Sequence, residues 1–144
     1  MFVAAPIAAS TKTDAYAELA AQARALLQGE RDRTANAANF AALVYHALPG
    51  LNWCGFYFWD GRELVVGPFQ GKPACVRIAL GKGVCGTAAA TRATQVVAVV
   101  PVVAADGALI GVWDVDSPEL ARFDHDDRAG MEALVRVFLE ALHA

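Results

Sequence analysis

Two alanine-rich stretches in the first third of the chain repeat apolar residues at helical spacing. The first extends from Ala15 to Leu27, and Gly29 follows it as a stop signal. The second extends from Arg33 to Ala47 and ends at Pro49-Gly50. The pattern therefore predicts that the chain opens with two helices.

From Leu51 onward, apolar residues no longer repeat at helical spacing and instead alternate with other residues, as in a β-strand. Leu51–Trp59 and Glu63–Gly67 are short alternating runs on either side of Asp60-Gly61, a dipeptide typical of hairpin turns. Cys75–Leu80 has the same alternation and β-branched content. We expect a β-hairpin followed by a third strand.

The rest of the chain predicts one more helix, a second hairpin and a terminal helix. These elements are a helix at 84–92, strands at 95–103 and 108–115, and a helix at 125–142. The order ααβββαββα predicts an α+β fold, with an antiparallel sheet and helices packed on it. We expect an N-terminal arm at 1–12 and one domain at 13–144.

Composition narrows the functional class. The 144 residues carry a net charge of −3, which gives no basic stripe for nucleic acid. Hydrophobic residues make up 56%, yet no apolar run approaches the ~20 residues that span a bilayer, so we expect no membrane association. Residues 1–10 lack a basic region and are interrupted by Pro6, which favours a frayed cytoplasmic N-terminus over a signal peptide.

Three cysteines occur without CxxC spacing, and the three histidines lack HxxxH or HExxH spacing. This disfavours a secreted disulfide scaffold and a bound metal, so we predict neither a metal nor a bound cofactor. In a reducing compartment, such cysteines are either buried apolar side chains or redox groups.

Alternation in the first strand places Trp53, Gly55 and Tyr57 on one face. A glycine between two large rings leaves room for a small apolar group against the strand. The alternative is ordinary core packing of the two rings. Cys54 belongs to the opposite row, which we interpret as plain core.

Asp114 and Asp116 lie two residues apart at the end of the last strand, so they share a face. Like charges held together raise the pKa of one member, and such a pair can hold a proton or bind a cation. The alternative for Asp116 is a cap on the Asp-Ser-Pro turn.

Two cysteines flank the third strand. Cys85 follows Gly81-Lys82-Gly83 at a helix start, where the dipole and Lys82 favour a thiolate or a bound carboxylate; the alternative is a buried structural cysteine. Cys75 lies at the mouth of the strand, and we expect it to be exposed.

Four segments taken together resemble the free methionine-(R)-sulfoxide reductases, which are stand-alone GAF domains. The segments are NWCGFY (52–57), GPFQGKPACVRI (67–78), GKGVCGTA (81–88) and GVWDVDS (111–117). The resemblance implies a GAF-like fold and a homodimer.

The resemblance also implies an activity. A thiolate attacks the sulfoxide of the free amino acid, and the sulfenic acid condenses with a second thiol to a disulfide that thioredoxin reduces. By position, Trp53 and Tyr57 match the walls around the methyl-sulfur end, and Asp114 and Asp116 match the acids for the sulfoxide oxygen or ammonium. Cys75 matches the resolving cysteine.

Cys85 matches only a cysteine with an auxiliary part, because the family's attacking cysteine lies in a loop that this sequence lacks. That loop carries a His-Ile-Ala-Cys-Asp motif before the fourth strand, whereas residues 95–101 here run straight through. Either the loop is deleted, which leaves Cys75 and Cys85 as the only candidates for attack and resolution and predicts weak or no reductase activity, or it is a mobile segment missing from the chain. The second explanation, which we favour, predicts a break near Val97 to Val99 that is much wider than one peptide.

Two other functions fit the same sequence. One is a non-catalytic GAF sensor that binds a small ligand, which a pocket of aromatic and acidic residues also permits. The other is a degenerate dimerisation module that uses the alanine-rich faces of the first and last helices and binds no ligand.

Overall fold

A computed structural model describes residues 2–95, 98–119 and 121–143, and its elements follow the predicted order. None of the helices in these ranges is both long and apolar enough to cross a membrane. The elements are α1 (Lys12–Leu27), α2 (Arg33–Ala47), β1 (Trp53–Trp59), β2 (Leu64–Gly71), β3 (Arg77–Ile78), α3 (Gly83–Thr91), β4 (Val99–Val103), β5 (Leu109–Asp116) and α4 (His125–His143).

The five strands form one antiparallel sheet in the order β3-β2-β1-β5-β4, so β1 is central. Helices α2 and α4 pack on one face, with α1 packed against both of them, and together they enclose the larger core, while α3 packs on the other face beside β4 and β5. The predicted α+β class with helices packed on an antiparallel sheet is confirmed.

Aromatic rings fill the centre of the larger core. The ring of Phe56 lies 4.8 Å from that of Trp113 and 4.5 Å from that of Phe138, measured between centroids. Cys54 is fully buried in the same layer, and its thiol donates to the carbonyl of Ala41 at 3.3 Å. The prediction that the Cys54 row is core is therefore confirmed.

A buried carboxylate joins α1 to α4. Asp127 is 1% exposed; it accepts from the Tyr16 hydroxyl at 2.8 Å and pairs with Lys12 at 2.6 Å and Arg122 at 3.4 Å. A buried charge is stable only when it is paired and hydrogen-bonded in this way. Asp127 therefore fixes the two helices relative to each other.

The N-terminal arm is ordered against α1, so the expectation of a frayed N-terminus is wrong. The backbone of Ala5 and the side-chain amide of Gln22 exchange two hydrogen bonds, at 3.1 and 2.8 Å. Phe2 and Ile7 pack against the larger core. Apolar anchors and paired backbone groups hold the arm, which ends one residue earlier than predicted because α1 begins at Lys12.

Strand β2 extends four residues beyond its predicted end at Gly67. The chain continues as a strand past Pro68 because the pairing with β1 shifts at a bulge between Gly55 and Tyr57. Strand β3 is shorter than predicted, with pairing limited to Arg77 and Ile78.

Strand β4 begins at Val99 and not at Gln95. The Gln95 N–H donates to the Val99 carbonyl at 2.9 Å, the Ala98 N–H donates back to Gln95 at 3.1 Å, and Ala98 has a φ of 60°. These bonds bring Gln95 close to Ala98 and Val99, and the described strand starts at Val99.

The expected chain break falls partly on residues 96 and 97, which lie outside the described residues. Gln95 and Ala98, on either side, are hydrogen-bonded to each other. Whether a segment is missing at this point therefore stays a prediction.

Candidate active site

The α3 face of the sheet carries a stack of three rings. Trp53 stacks on Tyr57 with centroids 5.9 Å apart, and Phe69 from β2 stacks on Trp53 at 5.1 Å. The Trp53 indole N–H donates to the Lys72 carbonyl at 3.1 Å, which fixes the ring. Alternation along β1 thus places Trp53 and Tyr57 on one face, as predicted.

The space beside Gly55 is filled, so the reason that we gave for this glycine is wrong. A Cβ atom on Gly55 would lie 2.2 Å from the Cβ of Phe69 and 2.7 Å from its Cα. The glycine therefore permits the close approach of β2 at the bulge. It leaves no room for a ligand between the two rings.

The two carboxylates lie on the same face as the rings. In the antiparallel pairing of β1 with β5, Asp116 is opposite Trp53 and Asp114 is opposite Gly55. Because directly opposite residues share a face, the acids and the rings form one continuous surface. Strand alternation places the two rings on one face of β1 and the two acids on one face of β5, and the register of these strands brings the rings and the acids together.

Asp114 is a buried acid with a raised pKa. Burial, with the negative charge of Asp116 as the next cause, raises the pKa of Asp114 to about 8. Burial also raises the pKa of Asp116, although the hydrogen bond from Asp114 opposes that shift. The pair therefore holds one proton at neutral pH, as predicted for like charges on one face.

One oxygen of this acid is available to a ligand. Asp114 is 8% exposed, and its Oδ1 has no hydrogen-bond partner among the described residues. Buried polar atoms are normally paired, so an unpaired one facing a cavity indicates a place for a polar group of a ligand.

Cys85 lies in the first turn of α3 and packs in the same cluster as the rings. The expectation of a stabilised thiolate is wrong. Burial raises the pKa of the Cys85 thiol, and the charge of Asp114 and a hydrogen bond to its carboxyl raise it further. Burial is the largest of these causes, and it favours the neutral thiol. The resting thiol is therefore protonated.

Cys75 is exposed, which confirms the expectation from its position before the third strand. Of the two site cysteines, one therefore lies at the surface and the other is buried.

Two cavities meet at the acid pair. A cavity of about 610 Å³ is lined by Trp53, Tyr57 and the segment 71–74, and one of about 400 Å³ is lined by Cys85 and the segments 77–79 and 82–84. Asp114 and Asp116 line both. The predicted rings therefore line one cavity and the buried thiol lines the other, with the two acids common to both and Cys75 directly after the 71–74 segment.

Sequence reasoning gave no role to three groups at this site. Phe69 completes the ring stack, the Lys72 carbonyl orients Trp53, and Tyr45 lines the larger cavity from α2. Burial raises the pKa of Tyr57 to about 12, so its hydroxyl remains a hydrogen-bond donor. Only Phe69 had a sequence signal, because it interrupts a run of turn residues.

Within the described ranges, no group of three or more His, Cys, Asp or Glu side chains could hold a metal ion. The site contains two carboxyl groups, Asp114 and Asp116, which share one proton, and the thiol of Cys85 beside them. Its chemistry is that of acid–base and thiol groups.

Known proteins are similar to this chain in sequence and in fold. No protein-family model matches the chain. The free methionine-R-sulfoxide reductase of Escherichia coli is 42% identical over 142 residues, covering 86% of this chain and 86% of that protein. The chain belongs to the free methionine-R-sulfoxide reductase family.

Solved structures agree with this family and confirm the GAF-like fold. The free methionine-R-sulfoxide reductase of Neisseria meningitidis, in complex with its substrate, superposes with a TM-score of 0.92 at 36% identity, over 99% of this chain and 96% of that one. A putative GAF sensor protein from Burkholderia vietnamiensis superposes at 0.90 with 68% identity, over 92% and 90%.

The family alignment also contains a length difference. The alignment with the Escherichia coli protein has 142 positions, but it contains only 86% of this chain's 144 residues, which is about 124. About 18 residues of that protein therefore have no counterpart in this chain.

Proposed function

We propose that this protein reduces free L-methionine-(R)-sulfoxide to methionine, with Cys85 and Cys75 as the redox pair. The observation that carries the proposal is the one-proton acid pair that lines two cavities, with stacked rings in one and a buried thiol in the other. Relatives of the same family act on this substrate by name, and one was solved in complex with its substrate.

The substrate fits this site by its chemistry. The methyl-sulfur end of methionine sulfoxide is small and apolar, which suits the edges of Trp53 and Tyr57. Its sulfoxide oxygen accepts a hydrogen bond from protonated Asp114. Its ammonium group pairs with the ionised carboxylate of Asp116.

The acid pair supplies both proton transfers that the chemistry needs. Asp114 donates its proton to the sulfoxide oxygen, and Asp116 accepts the proton of the Cys85 thiol. The Cys85 sulfur attacks the sulfoxide sulfur to form an adduct. The protonated oxygen then bonds to the Cys85 sulfur as the sulfur–sulfur bond and the bond from methionine sulfur to oxygen break, and methionine leaves. Cys85 is then a sulfenic acid, which carries the transferred oxygen.

Cys75 resolves the sulfenic acid. Its thiol attacks the Cys85 sulfur, water leaves, and a Cys75–Cys85 disulfide forms. Thioredoxin then reduces this disulfide. Three free thiols in the described structure fit a reducing compartment such as the cytoplasm, and the protein acts as a homodimer of the single domain 13–144, as the resemblance implies.

The direct test follows NADPH oxidation with thioredoxin, thioredoxin reductase and free L-methionine-(R)-sulfoxide. We expect turnover by the wild type, and losses of at least about 100-fold in Cys85→Ser and Asp116→Asn. Cys54→Ala is the matched control, because Cys54 lies in the opposite core and should leave turnover intact.

The sensor alternative predicts a different result. The lack of the family's cysteine-bearing loop in residues 95–101 is the observation that favours binding without reduction. Calorimetric binding of methionine sulfoxide without turnover under any reductant would contradict the reductase proposal and support the sensor. Absence of both binding and turnover would favour the dimerisation module.

A further inference from the structure

Three exposed apolar side chains lie between the two site cysteines in the sequence. Val76 is 61% exposed, Leu80 48% and Val84 43%, and together they are three of the four large apolar side chains that are exposed in the described ranges. We name these three residues the cysteine rim, since Cys75 directly precedes them and Cys85 directly follows. Clustered exposed apolar residues indicate an interaction site, whereas isolated ones do not.

The cysteine rim is held in place by hydrogen bonds. Gly81 donates to the Gly86 carbonyl and Gly86 donates to the Lys82 carbonyl, both at 2.9 Å. A Cβ on Gly86 would lie 2.5 Å from the Ala79 carbonyl, so the turn that carries Leu80 rests directly on α3. The rim is therefore a preformed surface, which lowers the entropic cost of binding a partner.

Val76 is held against β2. The Val66 N–H of β2 donates to the Val76 carbonyl at 2.8 Å. Ile78, two residues further on, packs in the cluster that contains Trp53, Tyr57 and Cys85. The rim thus continues from the active-site space to the surface beside Cys75.

Positive charge borders the rim. Lys72 and Lys82 are exposed, and neither forms an ion pair within the described residues. Arg77 is neutralised by Asp60 at 3.2 Å and Glu63 at 3.3 Å. The two unpaired lysines therefore give the rim a positive border.

We propose that the cysteine rim is the docking surface for the dithiol protein reductant, with Cys75 as the sulfur that the reductant attacks. This inference rests on the proposed function. Cys85 is buried, so an incoming protein thiol can reach only the Cys75 end of the disulfide. The reductant would present apolar residues around its attacking thiol and acidic residues opposite Lys72 and Lys82.

The exchange balances in two steps. A reductant thiolate attacks the Cys75 sulfur, the Cys75–Cys85 bond breaks, and the Cys85 thiolate takes a proton from the acid pair. The mixed disulfide now joins the first reductant sulfur to Cys75. The second thiol of the reductant attacks that first reductant sulfur and releases Cys75 as a thiol. The reductant leaves oxidised. A rim of three side chains suits the small interfaces of transient redox encounters, which bury less than about 1,200 Å².

The test compares two reductants on the same variants. We use Val76→Asp and Leu80→Asp, which lie outside the substrate cavities, and Val3→Asp as a control, because Val3 is 83% exposed and outside the rim. The measured quantity is kcat/KM for thioredoxin at saturating methionine sulfoxide. In parallel, the same turnover is driven by dithiothreitol, which needs no docking surface.

Each rim variant should lose at least about ten-fold in kcat/KM for thioredoxin. The rates with dithiothreitol, and both rates of Val3→Asp, should stay within about two-fold of the wild type. Rim variants that use thioredoxin as well as the wild type would overturn the proposal. Equal losses with both reductants would also overturn it, because they indicate damage to the active site.

A second measurement separates this inference from the proposed function. Protein oxidised beforehand with hydrogen peroxide is mixed with thioredoxin, and loss of the Cys75–Cys85 disulfide is followed without any sulfoxide. Slow reduction of the rim variants alone supports docking, and equal reduction of all variants contradicts it. Failure of the wild type to turn over sulfoxide with dithiothreitol contradicts the proposed function whichever docking result is obtained.

Discussion

Asp116 of β5 lies directly opposite Trp53 of β1 in the antiparallel pair. This one pairing brings the acids of the last strand to the rings of the first, although the residues are more than 60 positions apart in the chain. A slip of one residue would turn one pair to the opposite face. The site therefore depends on the register of the two strands at the centre of the sheet.

The rate should fall as the pH rises through about 8. Asp114 must carry a proton to donate it, and burial raises its pKa to about 8. We therefore expect kcat/KM for methionine sulfoxide to decrease above that pH. A profile that keeps rising between about pH 7 and 9.5 would contradict the role of Asp114 as the acid.

Replacing Asp114 should stabilise the protein while inactivating it. The folded-state pKa lies above the unfolded value, so the native state binds more protons and Asp114 reduces stability progressively as the pH rises from about 4 to 8. Asp114→Asn should raise the free energy of unfolding at pH 7 by roughly 1–3 kcal/mol. Urea unfolding at pH 5 and 7 tests this, and a gain that is larger at pH 5 would contradict it.

Removing the carboxylate between α1 and α4 should destabilise the fold. Asp127→Ala leaves Tyr16 without its buried partner and should lower the free energy of unfolding by roughly 3 kcal/mol. Asp126→Ala is the matched control, because Asp126 is exposed on the same helix turn. Comparable losses in the two variants, measured by urea unfolding, would show that the buried network is not the cause.

Gly55 should not tolerate a side chain. Its Cβ would meet the Cβ of Phe69 at 2.2 Å, and Phe69 supports the Trp53 ring. Gly55→Ala should therefore lower the free energy of unfolding by roughly 1–3 kcal/mol and raise KM for methionine sulfoxide. A variant within about 0.5 kcal/mol of the wild type and with unchanged KM would show that β2 does not need this approach.

Local patterns predicted most of the elements. The bounds of α2 agree with prediction because Asp32 caps its first turn, accepting from the Ala35 N–H at 2.7 Å, and Pro49-Gly50 follows its end. The predicted start of β4 at Gln95 was wrong. The β-branched residues before Val99 suit a strand, but the conformation at Ala98 depends on hydrogen bonds that join Gln95 to Ala98 and Val99. Tertiary pairing, and not residue preference, set that boundary.

The sequence predicts which residues form the site more completely than it predicts their protonation states and packing contacts. Alternation alone places Trp53 with Tyr57 and Asp114 with Asp116, because a strand has a fixed period of two. The state of the Cys85 thiol could not be predicted, since it depends on the carboxylates that the sheet register brings beside it. The role of Gly55 was missed for the same reason, because the contact with Phe69 comes from a bulge.

The most direct test of the redox pair is mass spectrometry of the reduced protein after one equivalent of L-methionine-(R)-sulfoxide. The account predicts one equivalent of methionine and a peptide in which a disulfide joins Cys75 to Cys85. In Cys75→Ser, Cys85 should instead be trapped as a sulfenic acid. Methionine formed while Cys85 remains an unmodified thiol would contradict the account.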